Sequence, residues 1–321
     1  MSDLPPQPIR VVADVGGTNT RLALFDPSRN EIRALSTYIN REFALLEDIF
    51  THWLDNLGEQ PPTACCIAVA APPSDDQVTM SNMDWSFSCS ELATRFGFRQ
   101  LRRLNDFEAN AYALPYLASG DSLELYPGHP VAGGRLATLG PGTGLGGAFL
   151  TSLDGSLQSF ACEPGHMGLA PGTELELEIF RALLPRYGNI YAELLVSGPG
   201  LARLYVTLGE IRGQRTVSLA PQEVSRLALA GEDKLCSLAL DTFCALLGSA
   251  SGDFLLATGS YGGLYLGGGI VPGLTSFMKT SAFHQRLVEK GAMREVLAGV
   301  PVHVITTGQP GLIGAAHAPL K

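Results

Sequence analysis

The chain has 321 residues, 45% of them hydrophobic and 17% charged, with a formal net charge of −9; that length predicts about two domains with a substantial core, and that composition a globular chain. Only four lysines occur (Lys234, Lys279, Lys290 and Lys321), none clustered, which excludes a protein that grips a nucleic-acid backbone. Met1–Pro8 has neither the basic nor the apolar part of a secretory signal, and no uninterrupted apolar run approaches bilayer length, so the expectation is a soluble intracellular protein with no membrane partner.

The first apolar run, Ile9–Ala13, leads into Asp14-Val15-Gly16-Gly17-Thr18-Asn19-Thr20-Arg21 and a second run, Leu22–Phe25. Two glycines let the chain reverse there, and such a turn aims several backbone N–H groups into one concavity that suits phosphate. Thr18 adds a hydroxyl and Asp14 a carboxylate. An ordinary glycine hairpin fits these residues too, and the stretch alone favours it.

Phe43–Asn56 carries Leu46, Ile49, Phe50, Trp53 and Leu54 at helical spacing. Cys65–Ala71 reads as a buried strand closed by Pro72-Pro73, Ser81–Trp85 as a polar loop, and Ser90–Phe96 as a helix capped by Ser90. The six cysteines (65, 66, 89, 162, 236 and 244) form no C-x-x-C pair, so neither a disulfide nor a structural zinc is expected. Leu101–Leu104 is a short strand, followed at once by Asn105-Asp106 and a helical run, Phe107–Leu117. Asp106 thus stands where a strand gives way to a helix, the edge at which open α/β sheets bind ligands. A cap or first-turn residue without chemical role fits the same position.

Ser119–Gly134, rich in Gly, Pro and Asp, marks a domain junction. A second glycine hairpin follows, with strand Arg135–Leu139, turn Gly140–Gly147 and strand Ala148–Thr151. Its layout repeats the first, which predicts two lobes that each offer a phosphate-cradling turn. Gly142-x-Gly144-x-x-Gly147 matches the dinucleotide fingerprint only formally, because a strand and not a helix follows it. No G-x-x-x-x-G-K-[ST] occurs.

Ala161–Ala170 holds Glu163, Gly165 and His166 in a Gly/Pro-rich loop, which read in isolation is an ordinary surface pair. Thr173-x-x-Glu176 is a capping box for a helix over Glu174–Tyr187. Further helices are predicted over Ile190–Val196, Gly200–Leu208, Gln222–Ala230 and Lys234–Ala257. Gly262–Gly273 is a strand running into Gly267-Gly268-Gly269, where a flat ring could lie against bare backbone. Strand Pro301–Thr306 and helix Gly311–Ala318 end the chain.

Laid out in this order, the sequence resembles the bacterial glucokinases of the sugar kinase/actin/Hsp70 superfamily. The motifs are DVGGTNTRLALFD (14–26), LNDF (104–107), GPGTGLGG (140–147), EPGHMG (163–168), ELLVSGPGL (193–201) and GGLYLGGGIVPG (262–273). Each is moderately specific; all six in family order are highly specific. The resemblance implies an α/β, two-lobed, actin-like (ribonuclease H-like) sugar kinase fold with an interlobe cleft. Its small domain would be 1–116 plus 306–321 and its large domain 117–305. It implies ATP-dependent phosphorylation of glucose at the 6-hydroxyl, with Asp106 as the general base. Asn105, Asp106, Glu163, His166 and Glu193 match sugar ligands, and Asn82 falls in the sugar-facing loop. Asp14, Gly16, Gly17, Thr18 and Asn19 match the first phosphate motif, with Asp14 near Mg²⁺ through water. Gly142, Thr143 and Gly144 match the second, and Gly267, Gly268 and Gly269 the adenosine motif. ATP and Mg²⁺ are the implied cofactors, and a homodimer the implied assembly.

Pro164 stands where the family usually has glycine and restricts φ in the sugar loop. Residues 167–187 contain no cysteine, which sets the chain apart from the zinc-bearing ROK branch. Three other readings stand beside this one. A sugar-sensing regulator needs a DNA-binding segment before the first phosphate motif, where only about ten residues stand. A partner-driven ATPase leaves Glu163, His166 and Glu193 without a purpose. A hexokinase of broader scope, acting on mannose, fructose or glucosamine, is the enzyme alternative.

Overall fold

A computed structural model of the chain describes residues 8–71, 76–80 and 83–320. Pro72, Pro73, Ser81 and Asn82, named above, lie outside the described residues. The chain divides into two units, Met1–Ala118 with Leu153–Ser159 and Thr307–Lys321, and Ser119–Ser152 with Phe160–Thr306.

The sheet of the first unit is built from β1 (Arg10–Val15), β2 (Asn19–Asp26), β3 (Glu31–Ile39), β4 (Ala64–Val69) and, after the small hairpin β5 (Gln77–Thr79) and β6 (Ser86–Ser88), β7 (Gln100–Asn105). Its order is β3-β2-β1-β4-β7. β1 pairs antiparallel with β2 and parallel with β4, which pairs parallel with β7. Val11, Val12, Ala13 and all of β4 are buried, as expected of parallel strands covered on both faces. Cys65 and Cys66 are among them, small core residues as their apolar run implies. The helices are α1 (Leu46–Asp55), α2 (Cys89–Phe96), α3 (Asp106–Ala113) and the C-terminal helix Pro310–His317.

The second sheet, most of it in the second unit, repeats the arrangement. β8 (Ser122–Tyr126), β9 (Leu136–Pro141), β10 (Leu145–Leu153), β11 (Ser156–Cys162), β12 (Gly263–Leu266) and β13 (Val302–Ile305) are ordered β11-β10-β9-β12-β13-β8. The repeat read from the two glycine turns is therefore one of whole sheets. Its helices include α4 (Glu174–Tyr187), α5 (Ala192–Leu195), α6 (Gly198–Ile211), α7 (Pro221–Ala230) and α8 (Lys234–Thr258). By length and composition α8 could cross a membrane, but 83% of its most apolar window is buried. Phe243, Leu246, Leu247 and Phe254 place it in the core of this unit.

Several local expectations change. Ser119–Gly134 is not all junction, since β8 lies within it and pairs with β13. β3 and β11 were not foreseen; they are edge or near-edge strands whose residues alternate poorly between buried and exposed. The cap of α2 is Ser88, which accepts from Glu91 N at 3.1 Å, while Ser90 bonds to Asp76. α4 has the predicted bounds, and Thr173 caps it at Glu176 N, 3.2 Å. The box is not reciprocal, because the Glu176 carboxylate accepts from Gly172 N and pairs with buried Arg286 at 3.1 Å. The run predicted as helix over Phe107–Leu117 is α3 to Ala113, then a 3₁₀ turn imposed by Pro115.

Candidate active site

In the first unit the strand register brings the site residues to one edge. β1, β4 and β7 run parallel with Asp14 opposite Ala68 and Val69 opposite Asn105. Asp14, the β1–β2 turn, Asn105 and Asp106 therefore share the carboxyl edge of the sheet, where an open α/β sheet binds ligands. Asn105 is the N-cap of α3, accepting from Phe107 N at 2.9 Å and Glu108 N at 3.4 Å and donating to Ala71 O at 3.3 Å. That leaves one amide hydrogen for a ligand. Asp106, half-buried, is the first residue of α3 and not its cap.

Asp14 pairs with Arg21 at 3.1 Å and keeps 18% of its side chain exposed. Burial pushes its carboxyl above the ordinary range, and the Arg21 guanidinium pulls against that shift without cancelling it. A Cβ on Gly311 would meet Asp14 Oδ1 at 2.8 Å, so the C-terminal helix presents bare backbone to this carboxylate.

The first glycine turn is held by a residue that sequence reasoning missed. Asn40 is 1% exposed. Its Nδ2 donates to Gly16 O at 2.8 Å, its Oδ1 accepts from Thr20 Oγ1 at 2.9 Å, and its backbone N–H donates to Thr18 O at 2.9 Å. With Gly16 N donating to Asn19 O at 3.0 Å, the turn has one shape. A cavity of about 640 Å³ opens beside it, lined by Gly17, Thr18, Asn19, Arg41, Asp84 and Trp85 among others.

In the second unit Gly142 N donates to Gly144 O and Gly198 N to Gly142 O, both at 2.8 Å. Glu193 Oε2 accepts from Leu145 N at 2.9 Å. Glu163 and His166 stand 4.0 Å apart, each 67% exposed, and the His166 ring stacks on Tyr191 with centroids 5.7 Å apart. Pro164, the residue that departs from the family pattern, is buried at the start of a 3₁₀ turn, a position proline suits. A Cβ on Gly147 would come within 2.8 Å of its ring.

Gly267 N donates to Leu139 O at 2.9 Å, which sets the triple glycine beside the Gly142 turn. Gly268 has φ +79°, and a Cβ there would meet Pro141 O at 2.4 Å, so this position needs glycine twice over. Between them lies a cavity of about 720 Å³ lined by Gly142, Thr143, Gly198, Pro199, Leu201, Pro221, Arg226, Gly269, Ile270 and Leu274. Apolar walls with one polar rim suit a flat heterocycle whose phosphates reach the turn. Arg226 is held at the rim by Glu223 and Glu232, at 2.9 and 3.1 Å. Of this cavity only the glycines and Thr143 were legible in the sequence; Pro221 and Arg226 come from a helix with no motif.

Mg²⁺ is usually held by one or two carboxylates together with substrate phosphates. Among the described residues no three His, Cys, Asp or Glu gather as a metal cage. A single carboxylate, Asp14, beside a phosphate-shaped turn is a donor set that fits Mg²⁺.

The family model described as Glucokinase matches residues 11–321. A glucokinase from Saccharophagus degradans is 38% identical over 309 residues, 95% of this chain and 96% of its own length. A glucokinase from Chromobacterium violaceum is 41% identical over 315 residues, 98% of this chain and 90% of its own. Among solved structures, the glucokinase of an Antarctic psychrotroph is similar with a TM-score of 0.89 at 38% identity, covering 96% of this chain and 98% of the other. That similarity gives the chain the two-lobed α/β sugar kinase fold.

Proposed function

The chain belongs to the glucokinase family, and from that premise we propose that it transfers the γ-phosphoryl group of ATP to the 6-hydroxyl of D-glucose with Asp106 as general base. The observation that carries the assignment is Asp106 at the first turn of α3, on the same sheet edge as Asp14 and the first phosphate turn. Asp106 takes the proton of the 6-hydroxyl as that oxygen attacks phosphorus, a form of assistance worth about 10²–10⁴-fold. Asn105, Glu163, His166 and Glu193, with Asn82, pair the remaining sugar hydroxyls. An unpaired polar group in a closed site costs about 1–3 kcal/mol, and that penalty distinguishes hexose epimers.

The turns at Gly16–Asn19 and Gly142–Gly144 hold the phosphates through backbone N–H groups and threonine hydroxyls, and the base lies in the cavity beside Gly269 and Ile270. Neither turn carries a lysine, so positioning and backbone dipoles do most of the work. Asp14 would hold Mg²⁺ through water, and the ion would neutralise charge on the phosphates. The reading extends to a cytoplasmic homodimer, whose assembly light scattering tests.

A coupled ADP-release assay with a hexose panel tests the assignment. Asp106→Ala is expected to lower kcat by about 10²–10⁴-fold while glucose still binds. A rate near wild type in that variant would sink the base assignment. Equal kcat/KM for glucose and fructose would replace the glucokinase reading with a hexokinase of broader scope.

A further inference from the structure

Glu193 faces two ways. It is one of the proposed sugar ligands, yet its Oε2 accepts from Leu145 N at 2.9 Å, immediately after the Gly142–Gly144 turn. The stretch that follows fastens the other end of the same turn. Ser197 Oγ donates to Glu193 O, and Gly198 N donates to Gly142 O, both at 2.8 Å. Gly198 and Pro199 then form part of the wall of the nucleotide cavity. One continuous stretch therefore runs from a sugar ligand, past both ends of the phosphate turn, to the base pocket.

The glycines around the carboxylate fit that role. A Cβ on Gly144 would lie 2.5 Å from Glu193 Oε2, and one on Gly165 would lie 3.0 Å from it. Gly165 belongs to the loop that carries Glu163 and His166. The carboxylate thus occupies a slot between the phosphate turn and the sugar loop, and a methyl group on either side would displace it. A hydrogen bond to an ionised acceptor is among the stronger ones in a folded chain, so its loss is felt at both neighbours.

We propose that Glu193 is a positioning residue for the second phosphate turn as well as a sugar ligand, so that one carboxylate mechanically couples the glucose and ATP sites within this unit. The inference rests on the glucokinase reading above. It makes two demands that a plain sugar ligand does not. A change in the phosphate turn that displaces the Glu193 carboxylate must alter glucose affinity with no nucleotide present, and a change at Glu193 must alter use of ATP at saturating glucose. Linkage between the two ligands is reciprocal.

The test combines isothermal titration of glucose without nucleotide and steady-state kinetics on the full chain. Gly144→Ala is expected to raise the glucose Kd about tenfold, because the displaced carboxylate loses an ionic hydrogen bond. Gly142→Ala, whose Cβ would meet nothing within 4 Å, is expected to raise only the KM for ATP. Glu193→Asp, too short to reach Leu145, should raise both the glucose Kd and the ATP KM about tenfold. Glu193→Gln keeps an oxygen for the Leu145 N–H, so its ATP KM should stay within about twofold of wild type while glucose weakens. If Gly144→Ala does not fold, the two Glu193 variants decide the matter by themselves. A Glu193→Asp enzyme weakened for glucose alone would overturn the coupling and leave the sugar assignment standing. Glu193 variants with unchanged glucose affinity would overturn the sugar assignment itself.

Discussion

Asn40 follows a strand, β3, whose residues give no warning of a buried amide, yet it holds Gly16 O, Thr18 O and Thr20 Oγ1 at once. Asn40→Ala leaves the Gly16 carbonyl without that donor in a half-buried turn, at a cost of about 1–3 kcal/mol. The expected result is a lowered Tm together with a raised KM for ATP and a nearly unchanged KM for glucose. A variant that loses stability but keeps its KM for ATP would show that the turn keeps its shape without the amide. Residues such as Asp106 and Glu163 were visible because each lies in a recognisable motif. Asn40 was not, because its partners Gly16 and Thr20 lie on a different segment of the chain; Arg226 was not, because its helix carries no motif and joins the cavity only in the folded unit.

At the scale of elements, α3 is positioned by the C-terminal helix. A Cβ on Gly314 would lie 1.7 Å from Ala109 O, so the two helices touch through bare backbone. Gly314→Ala forces them apart, with an overpacking cost of about 1–3 kcal/mol. Because Asp106 opens α3, the displacement should reach the proposed base. Chemical denaturation should show the loss of stability, and kcat should fall more than either KM; an unchanged kcat would mean that α3 yields without moving its first turn. The short helices Thr275–Met278, Phe283–Val288 and Arg294–Ala298 carry no period long enough to read, whereas the longer helices and the central strands were legible, α4 by its capping residue. β3, β8 and β11 were not, because strands at or near a sheet edge need no clean alternation to pair.

For the whole molecule, three histidines stand below their ordinary range. Burial lowers His284, His303 and His317, with Arg294 adding to the first and Glu124 opposing the second. His317 stacks on Tyr116 with centroids 3.7 Å apart, lies 4.8 Å from Phe25, and bonds to Ile313 O and Asn30. A histidine held neutral by the fold binds fewer protons there than in the unfolded chain. Its contribution is therefore fully present above about pH 6.5 and is lost as pH falls through that value toward the lowered one. The urea midpoint should fall between pH 7 and pH 5, and His317→Phe, which retains the ring packing, should flatten part of that slope. Asp14, raised by burial, works in the opposite sense, so the histidine part is read from the difference between His317→Phe and wild type; an unchanged slope in the variant would contradict it.

Legible along the chain were two glycine turns, a carboxylate at a strand-to-helix boundary, and the repeat that predicted two lobes, each with a phosphate-cradling turn. These are local, since a turn, a cap and a buried strand are specified by neighbours along the chain. Only the tertiary structure decided what fixes those pieces. Strand register set Asp14 and Asp106 on one edge. Asn40 locked the first turn, and Glu193 locked the second. Such contacts join residues far apart in sequence, and their geometry exists only once the sheets have set the register and the core has closed around them.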